Sequence, residues 1–447
     1  MPSPQATPPR SRFDVHRLWL LVSLLVLTAP SFGQTRLSRS EEALIAAVRA
    51  SEEASLALLE RAVNINSGTM NFGGVRQVGD LLRPRFEALG FRTTWVDGTS
   101  FGRAGHLIAR RGNRGRHILL IGHLDTVFEP QSPFQRFERI DASRVRGPGV
   151  ADMKGGIIVL LAALEALQKA RALDRLTLTV VLHGDEEESG TPLEVARKDI
   201  IEAAKAADIA IGLENAADDP ATAVTSRRGY TRWQIDVKAK SAHSSQIFAD
   251  EVGAGAAYEL ARILAAFYEE LRGEDNLTFS PGLIASSAQV SFATEPLGAQ
   301  LLGKDNIVPP LAVASGDLRT VTLEQRERTK ERMRKIVAAH LPQTSAAIVF
   351  EDGYPPMAPT EGNARLLRLY DGVSRDLGFG PVTAVNPRRA GAADISFAAD
   401  HVEMAIDGLG LLGGDAHTPD EFADLRTFQI QTQRLVLLLF RLGEGKK

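Results

Sequence analysis

Three short apolar segments in the first half of the chain constrain its fold more than any other feature. They are residues 117–121, 176–182 and 209–213, and each follows directly after a charged residue. Runs of this length that are rich in Leu, Ile and Val are typical of strands buried on both faces of a parallel sheet. Helix-like segments separate them, among them residues 154–171. This alternation predicts an α/β fold with a mostly parallel sheet that is covered on both faces.

The pattern changes near Asp218-Asp219-Pro220. Residues 231–237 alternate between apolar and polar side chains, which predicts a strand with one solvated face. The segments that follow are predicted as a helix, two strands, a helix and a strand, at residues 253–271, 288–293, 312–321, 323–340 and 346–350. This is the element order of ferredoxin-like domains. We therefore predict a discontinuous α/β domain, residues 34–221 and 356–447, interrupted by an α+β domain, residues 222–355.

The first 33 residues predict an export signal rather than a part of the fold. Basic residues up to Arg17 precede a ten-residue apolar stretch, 18–27, and small residues follow it as far as Gly33. This order is that of a cleaved secretory signal, and a membrane span needs about 20 apolar residues. We expect an exported protein, periplasmic or secreted, with no stable membrane span after cleavage. The alternative is an uncleaved anchor.

Composition excludes several classes of function. The chain contains no Cys, which excludes thiolate zinc sites, Cys nucleophiles and iron–sulfur clusters. The formal net charge is −3, which argues against a nucleic-acid partner held by phosphate contacts. Any metal must therefore bind to His, Asp or Glu.

Five groups of such residues lie directly after predicted strands or in glycine-rich turns. They are His123 with Asp125, Asp152, the acidic run at 185–188, Glu214, and His417. Ligands bind at the carboxyl ends of strands in α/β sheets, which is where most of these groups fall. Each group alone has an ordinary structural explanation, such as a helix cap or a solvated loop. Two His and three or four carboxylates that converge on one sheet edge favour a two-zinc site without thiolate ligands.

These residues belong to motifs whose order and spacing are specific. The motifs are Gly-His-Leu-Asp-Thr (122–126), Gly-Pro-Gly-Val-Ala-Asp-Met-Lys-Gly-Gly (147–156), Gly-Asp-Glu-Glu (184–187), Glu214, Ser-Ala-His (241–243), Asn-Ile-Val-Pro (306–309), Asp-Leu-Arg (317–319) and His417. From about Glu41 to Leu442, the chain resembles the di-zinc aminoacylase/carboxypeptidase family. That family includes glutamate carboxypeptidase, acetylornithine deacetylase and succinyl-diaminopimelate desuccinylase.

The resemblance implies a zinc-peptidase-like catalytic domain with an inserted ferredoxin-like domain that acts as a lid and forms a homodimer. It implies two Zn²⁺ per subunit, with Co²⁺ or Mn²⁺ as alternatives. By matching motif, His123 and Glu214 would bind one zinc ion, Glu187 and His417 would bind the other, and Asp152 would bridge both.

The same resemblance implies roles for five further residues. Glu186 would be the general base and Asp125 would orient a histidine ligand. His243, on the inserted domain, would polarise the scissile carbonyl. Asn306 and Arg319 would bind the substrate carboxylate.

The acidic run leaves one alternative open. Residues Glu186-Glu187-Glu188 precede Ser189-Gly190, so the run is longer than in many relatives. Alignment from the strand end makes Glu186 the base and Glu187 the ligand. Alignment from the glycine makes Glu187 the base and Glu188 the ligand.

The expected activity is zinc-dependent hydrolysis of the amide or peptide bond in a small peptide or N-acyl amino acid with a free carboxylate. A water activated between the zinc ions would attack, as in a glutamate carboxypeptidase-like metallopeptidase. An N-acyl-amino-acid deacylase is the alternative, and an inactive binding protein of the same fold is a more remote one. Relatives specific for glutamate carry an Arg just before the proline where the lid rejoins the core. The corresponding residues, 352–356, contain none, which weakens the prediction of an acidic terminal residue.

Overall fold

The computed structural model describes residues 37–215, 219–294 and 297–445. The predicted export signal, residues 1–33, therefore lies outside the described residues. The described residues belong to one compact unit. Among the described residues, no helix combines the length and the apolar character that a membrane crossing requires.

Four of the longer helices begin after a residue whose side chain caps the first turn. The first starts after Ser38, whose hydroxyl accepts the Glu41 N–H while the Glu41 carboxylate accepts the Ser38 N–H, a capping box. The described helices are α1 (Arg39–Val63), α2 (Phe72–Ala88), α3 (Lys154–Lys169), α4 (Leu193–Ala196), α5 (Lys198–Lys205), α6 (Gly255–Leu271), α7 (Leu323–Ala338), α8 (Glu361–Asp376), α9 (Ser396–Ala399) and α10 (Arg426–Gly443). Short 3₁₀ helices lie at Thr99–Phe101, Leu173–Arg175, Ser244–Gln246 and Pro387–Arg389.

The central sheet has six strands in the order β1-β2-β6-β3-β7-β18. The strands are β1 (Arg92–Asp97), β2 (Gly105–Arg111), β3 (His117–His123), β6 (Thr177–His183), β7 (Ile209–Gly212) and β18 (Met404–Ile406). The last four in the sheet order, β6, β3, β7 and β18, are parallel, which confirms the predicted mostly parallel sheet. The first two form an antiparallel edge that the sequence pattern did not predict.

Both faces of this sheet are covered, as predicted. Along β3, Ile118 and Leu120 pack into a core shared with α1, α3 and α10. The intervening Leu119 and Ile121 pack into a second core shared with α5 and α9. This alternation follows from the two-residue period of a strand. It explains why residues 118–121 are all Ile or Leu.

Two smaller sheets complete this part of the molecule. Strands β4 (Glu138–Arg139), β5 (Arg144–Arg146), β19 (Gly413–Gly414) and β20 (Phe422–Asp424) form an antiparallel sheet in the order β19-β20-β5-β4. Strands β8 (Thr222–Ala223) and β17 (Thr383–Ala384) form a parallel pair.

The inserted segment has its own sheet and its own core. Strands β9 (Gly229–Ala239), β11 (Thr278–Ser287), β15 (Leu311–Thr320) and β16 (Thr344–Asp352) pair antiparallel in the order β11-β15-β9-β16. Helices α6 and α7 pack against this sheet around Trp233 and Phe267. A short pair, β10 (Ala242–His243) with β14 (Ile307–Val308), extends beside it. The element order is ferredoxin-like. The boundaries at 222 and 355 and the lid role stay predictions.

One predicted strand belongs to a different sheet. Residues 289–293 of the predicted strand 288–293 lie in β12 (Gln289–Thr294), which forms a separate hairpin with β13 (Leu297–Leu302). The strand that belongs to the four-stranded sheet is β11, which contains Pro281 and Gly282 and a register shift between Pro281 and Leu283. Pro and Gly are tolerated in a strand at a bulge, but they interrupt the residue pattern from which a strand is predicted. The sequence pattern therefore did not predict this strand.

Candidate metal centre

The carboxyl ends of three adjacent parallel strands form one side of the site. Strand β3 lies between β6 and β7 and ends at His123. Glu186 and Glu187 follow β6, and Glu214 follows β7. The chain order therefore delivers an imidazole and three carboxylates to one edge of the sheet, where α/β proteins bind their ligands.

The small four-stranded sheet supplies the other side. Strand β5 pairs with β20, with Arg146 opposite Phe422. Asp152 lies in the turn after β5, and His417 lies in the turn before β20, so the antiparallel pairing places the two turns side by side. His417 adopts a left-handed backbone conformation with a φ of 64°. A left-handed backbone is uncommon in a residue with a side chain, although His adopts it more readily than most.

The first group of candidate ligands is His123, Asp152 and Glu214. The Nε2 atom of His123 lies 3.2 Å from Asp152 Oδ1 and 3.5 Å from Glu214 Oε1. The His123 ring is 1% exposed, so its position is fixed by packing. One ligand atom of each residue lies within 4.8 Å of the others, which is compact enough to hold one metal ion.

The second group is Asp152, Glu187 and His417. The Nε2 atom of His417 lies 3.1 Å from Asp152 Oδ2 and 3.1 Å from Glu187 Oε2. Asp152 thus directs one oxygen to each group. Glu188 is exposed and pairs with Arg103 at 2.9 Å. The structure therefore brings Glu187, and not Glu188, to His417.

Asp125 holds both a histidine and the acidic loop. Its Oδ1 lies 3.3 Å from Nδ1 of His123, and its two oxygens accept the N–H groups of Glu186 and Glu187 at 3.1 Å each. The hydroxyl of Thr69 donates to Asp125 Oδ2 at 2.7 Å. Such a carboxylate fixes the ring orientation of a metal-binding histidine. No motif in the sequence indicates Thr69, which an isolated bridge between Gly68 and Thr126 brings to the site.

Burial, hydrogen bonds and neighbouring charges shift the pKa values of several groups at this centre. Burial alone would lower the pKa of His123, but hydrogen bonds to Asp125 and Asp152 raise it well above its ordinary value. Hydrogen bonds to Asp152 and Glu187 raise the pKa of His417 to about 11. Burial, followed by the Asp152 charge, raises the pKa of Glu214 well above its ordinary value. The site therefore favours positive charge at its centre.

This donor set fits divalent metal ions. It consists of imidazole nitrogens and carboxylate oxygens, which Zn²⁺ accepts as ligands without any thiolate. The raised pKa values of His123 and His417 reflect the surplus of carboxylate charge around both imidazoles. Two divalent cations would compensate the same carboxylates with both imidazoles neutral.

Two buried carboxylates behind the ligands also contribute, and the sequence analysis missed both. Glu421 is 1% exposed and accepts the N–H groups of Gly149, Ala151 and Asp152 at 3.0–3.1 Å. Asp407 accepts the Glu214 N–H at 3.2 Å and pairs with Arg227 at 2.8 Å. Only their positions in the sequence could have indicated a role at the site. Glu421 follows His417 closely, and Asp407 directly follows an apolar run.

The candidate ligands line a cavity of about 180 Å³. Its lining comprises Asp152, Glu186, Glu187, Glu214, Asn215, Arg227, Ala392, Ala393 and His417. Glu186, the predicted base, therefore shares this cavity with four of the five predicted ligands. Burial raises the pKa of Glu186 well above its ordinary value. Attraction to His123 acts against this shift, and repulsion from neighbouring carboxylates adds to it.

The structure does not bring the predicted residues of the inserted segment to this cavity. The exposed His243 ring contacts Ser245 at 2.8 Å and Asn306 at 3.5 Å. Arg319 pairs with Asp317 at 2.7 Å and stacks on Tyr230. In the part of the chain that the structure describes, no hydrogen bond or ion pair joins His243, Asn306 or Arg319 to the metal-ligand cluster.

Comparison with known proteins agrees with this geometry. The model of peptidase family M20/M25/M40 matches residues 119–441. The chain belongs to peptidase family M20/M25/M40. Carboxypeptidase G2 from Pseudomonas sp. (strain RS-16) is 26% identical over 97% of this chain and 100% of its own length. Succinyl-diaminopimelate desuccinylase from Magnetococcus marinus is 23% identical over 81% of this chain and 92% of its own length.

Solved structures of the M20 family share the fold. One is a peptidase from Bacillus subtilis that is described as dinuclear metal binding, with a TM-score of 0.63 and 16% identity. The alignment covers 89% of this chain and 99% of that chain. The predicted family and fold class are confirmed. As an M20 family member, the chain is a metallopeptidase or amidohydrolase that acts on peptide or amide bonds.

Proposed function

We propose that this M20 family member is an exported, zinc-dependent hydrolase of small peptides or N-acyl amino acids with a free carboxylate, similar in reaction to a carboxypeptidase. Two Zn²⁺ per subunit are proposed, with Co²⁺ or Mn²⁺ as substitutes. When bound, the two ions supply Lewis-acid activation of a water molecule at neutral pH.

The observation that carries the proposal is the position of Asp152 between two groups of ligands. Its Oδ1 faces His123 and its Oδ2 faces His417, at 3.2 and 3.1 Å. Glu214 completes the first group and Glu187 completes the second. A single bridging carboxylate between two complete groups fits a two-metal centre better than it fits a single metal ion.

The general-base and orienting roles belong to the chain's own residues. We assign Glu186 as the general base and proton carrier, because its carboxylate lines the ligand cavity while Asp125 fixes its backbone N–H. Asp125 also holds the His123 ring in its binding orientation. For the acidic run, this geometry favours Glu186 as base and Glu187 as ligand, since Glu188 pairs with Arg103.

We propose that His243 polarises the scissile carbonyl and that Asn306 and Arg319 bind the substrate carboxylate. Because all three lie on the inserted segment and outside the cavity, either a movement of that segment or a second copy of the chain must deliver them. We propose that a homodimer formed through the inserted segment brings these residues to the cavity. Sedimentation equilibrium, with and without a substrate analogue, measures whether the chain is a dimer.

The decisive experiment combines metal analysis with a matched pair of variants. Purified protein should contain two zinc ions per chain and hydrolyse a panel of dipeptides and N-acyl amino acids. Glu186→Gln should lose at least about 10³-fold in kcat while retaining metal, because the base is lost and the ligands remain. Glu187→Gln should lose metal, whereas Glu188→Gln, which removes an exposed charge of the same kind, should lose none. A Glu186→Gln protein that hydrolyses every substrate at the original rate would exclude the proposed mechanism.

An N-acyl-amino-acid deacylase is the second candidate. The desuccinylase relatives favour it, because their names describe removal of an acyl group from an amino acid. A substrate panel that varies the acyl group and the C-terminal residue independently distinguishes the two functions. Strong dependence on the C-terminal residue supports the peptidase.

Export is proposed from the N-terminal sequence alone. Fractionation of cells that express the full chain should recover the protein outside the cytoplasm. N-terminal sequencing of that protein should begin close after Gly33. A cytoplasmic protein that retains residue 1 would contradict this proposal.

A further inference from the structure

A buried polar cluster lies behind the acidic loop. Its centre is Arg197, which is 0% exposed. The guanidinium donates to Asp185 Oδ1 at 2.8 Å, to the Asp185 carbonyl at 2.9 Å and to Ser189 Oγ at 3.0 Å. It also forms an ion pair with Asp394 at 2.8 Å. These contacts clamp both ends of the loop that carries Glu186 and Glu187.

Tyr354 also belongs to this cluster. It lies between β16 and the return to the catalytic part, and its side chain is 5% exposed. Its hydroxyl accepts hydrogen bonds from Arg197 Nη2 and, at 3.1 Å, from Ser189 Oγ. The same hydroxyl donates its proton to the carbonyl oxygen of Glu186 at 3.1 Å. The phenol is therefore fully hydrogen-bonded, and its single donated bond goes to the backbone of the proposed base.

The packing around the phenol keeps this geometry rigid. The Tyr354 ring packs edge-on against Phe397, with 4.8 Å between the ring centres, and the Arg197 guanidinium lies over it at 5.3 Å. The backbone carbonyl of Tyr354 accepts the Tyr230 N–H at 3.1 Å, which joins it to the first strand of the inserted segment. Burial, followed by the Asp394 charge, raises the pKa of Tyr354 well above its ordinary value, so the hydroxyl keeps the proton that it donates.

We propose that Tyr354, held by Arg197, is a positioning residue for Glu186. Asp125 fixes the N–H of Glu186 from one side, and Tyr354 fixes its carbonyl from the other. The two bonds hold both ends of the residue, so that its carboxylate is aimed into the ligand cavity. This inference rests on the proposed role of Glu186 as the general base.

The test removes one hydroxyl and compares it with a matched hydroxyl elsewhere. Tyr354→Phe should lower kcat by about 10–100-fold, since small misplacements of a catalytic group have effects of this size. KM and zinc content should stay within about twofold of the original values. The control is Tyr370→Phe, because Tyr370 is 0% exposed and its hydroxyl bonds Gln431 at 3.1 Å, in the packing between α8 and α10. That variant should lower Tm comparably but leave kcat unchanged.

A double-mutant comparison separates positioning from a general structural effect. In a Glu186→Gln background the base is absent, so adding Tyr354→Phe should change the residual kcat by less than about threefold. An equal loss in both backgrounds, or an unchanged kcat in the single variant, would overturn the inference. If Glu186→Gln itself remains fully active, the proposed function fails instead. An inactive Glu186→Gln together with a fully active Tyr354→Phe refutes the positioning role alone.

Discussion

The buried Glu421 carboxylate offers the sharpest test of how this centre is built. Its Oε2 accepts the Gly149 N–H, and its Oε1 accepts those of Ala151 and Asp152, at 3.0–3.1 Å. The three donors belong to the single turn that carries Asp152, the residue shared by both ligand groups. We therefore expect Glu421 to control the position of Asp152 and, through it, the affinity for metal.

The magnitude follows from the geometry of the substitution Glu421→Gln. A glutamine side chain has one carbonyl oxygen, so it satisfies at most one side of the carboxylate and turns an NH₂ group toward the other donors. Leaving one buried N–H unsatisfied costs about 1–3 kcal/mol of unfolding free energy. Loss of a carboxylate that orients a ligand typically costs about 10–100-fold in metal affinity. Glu421→Ala leaves all three donors without a partner and should be more severe in both respects.

The assay is competition for zinc against a chromophoric chelator, together with urea unfolding of the metal-free protein. The control is Asp420→Asn, which removes the same charge one residue away, where the side chain is exposed. Both variants replace a carboxyl group with an amide, so a loss of affinity that comes from charge alone would appear in both. Zinc affinity within twofold of the original in Glu421→Gln, or an equal loss in Asp420→Asn, would refute the reasoning.

Two further pairs of substitutions, each a test with its control, probe the packing around the site. Phe86 is 0% exposed, so Phe86→Ala should lower the unfolding free energy measured in urea by about 3–5 kcal/mol. The control is Phe72→Ala, which should lower it far less because the Phe72 side chain is 39% exposed. Gly212→Ala would place its Cβ 2.1 Å from Asp407 Oδ1, so it should cost about 1–3 kcal/mol and weaken zinc binding. Gly372→Ala, in a helix with open space around it, should be neutral or stabilising by up to about 1 kcal/mol. Equal effects within either pair would contradict these expectations.

The sequence predicted one half of the site from local pattern alone. The apolar strands ending at His123 and before Glu214 are recognisable because burial on both faces leaves no polar residue within them. Their parallel arrangement follows from the helices between them. The rule that ligands bind at strand ends then places both residues at one edge.

The other half depends on contacts that no local pattern reveals. Asp152 and His417 meet because β5 pairs with β20, two three-residue strands that lie far apart in the sequence. Strands this short carry no readable periodicity. Residue types and strand ends suggested only that the five groups converge, and the resemblance to a family assigned Asp152 and His417 to a shared ligand set. Thr69 and Glu421 lie beyond both kinds of reasoning, since a hydroxyl and a carboxylate in a loop are ordinary surface residues until their partners are known.

A common construction underlies the ligand-bearing loops. Asp125 accepts the N–H groups of Glu186 and Glu187, Asp407 accepts that of Glu214, and Glu421 accepts that of Asp152. Each loop is thus anchored through its backbone by a buried carboxylate, which leaves the ligand side chains free to face the cavity.

This construction also explains the preference for cations. A buried carboxylate is stable only when it is well hydrogen-bonded or opposed by positive charge. Asp407 has the Arg227 guanidinium beside it at 2.8 Å. Glu421 has backbone donors instead, and burial, followed by the Asp152 charge, raises its pKa to about 7. Positive charge at the centre therefore stabilises the ligands and the anchor behind them together. It follows that metal binding should stabilise the turn carrying Asp152 more than the strand end carrying His123, and hydrogen exchange with and without zinc would measure that difference.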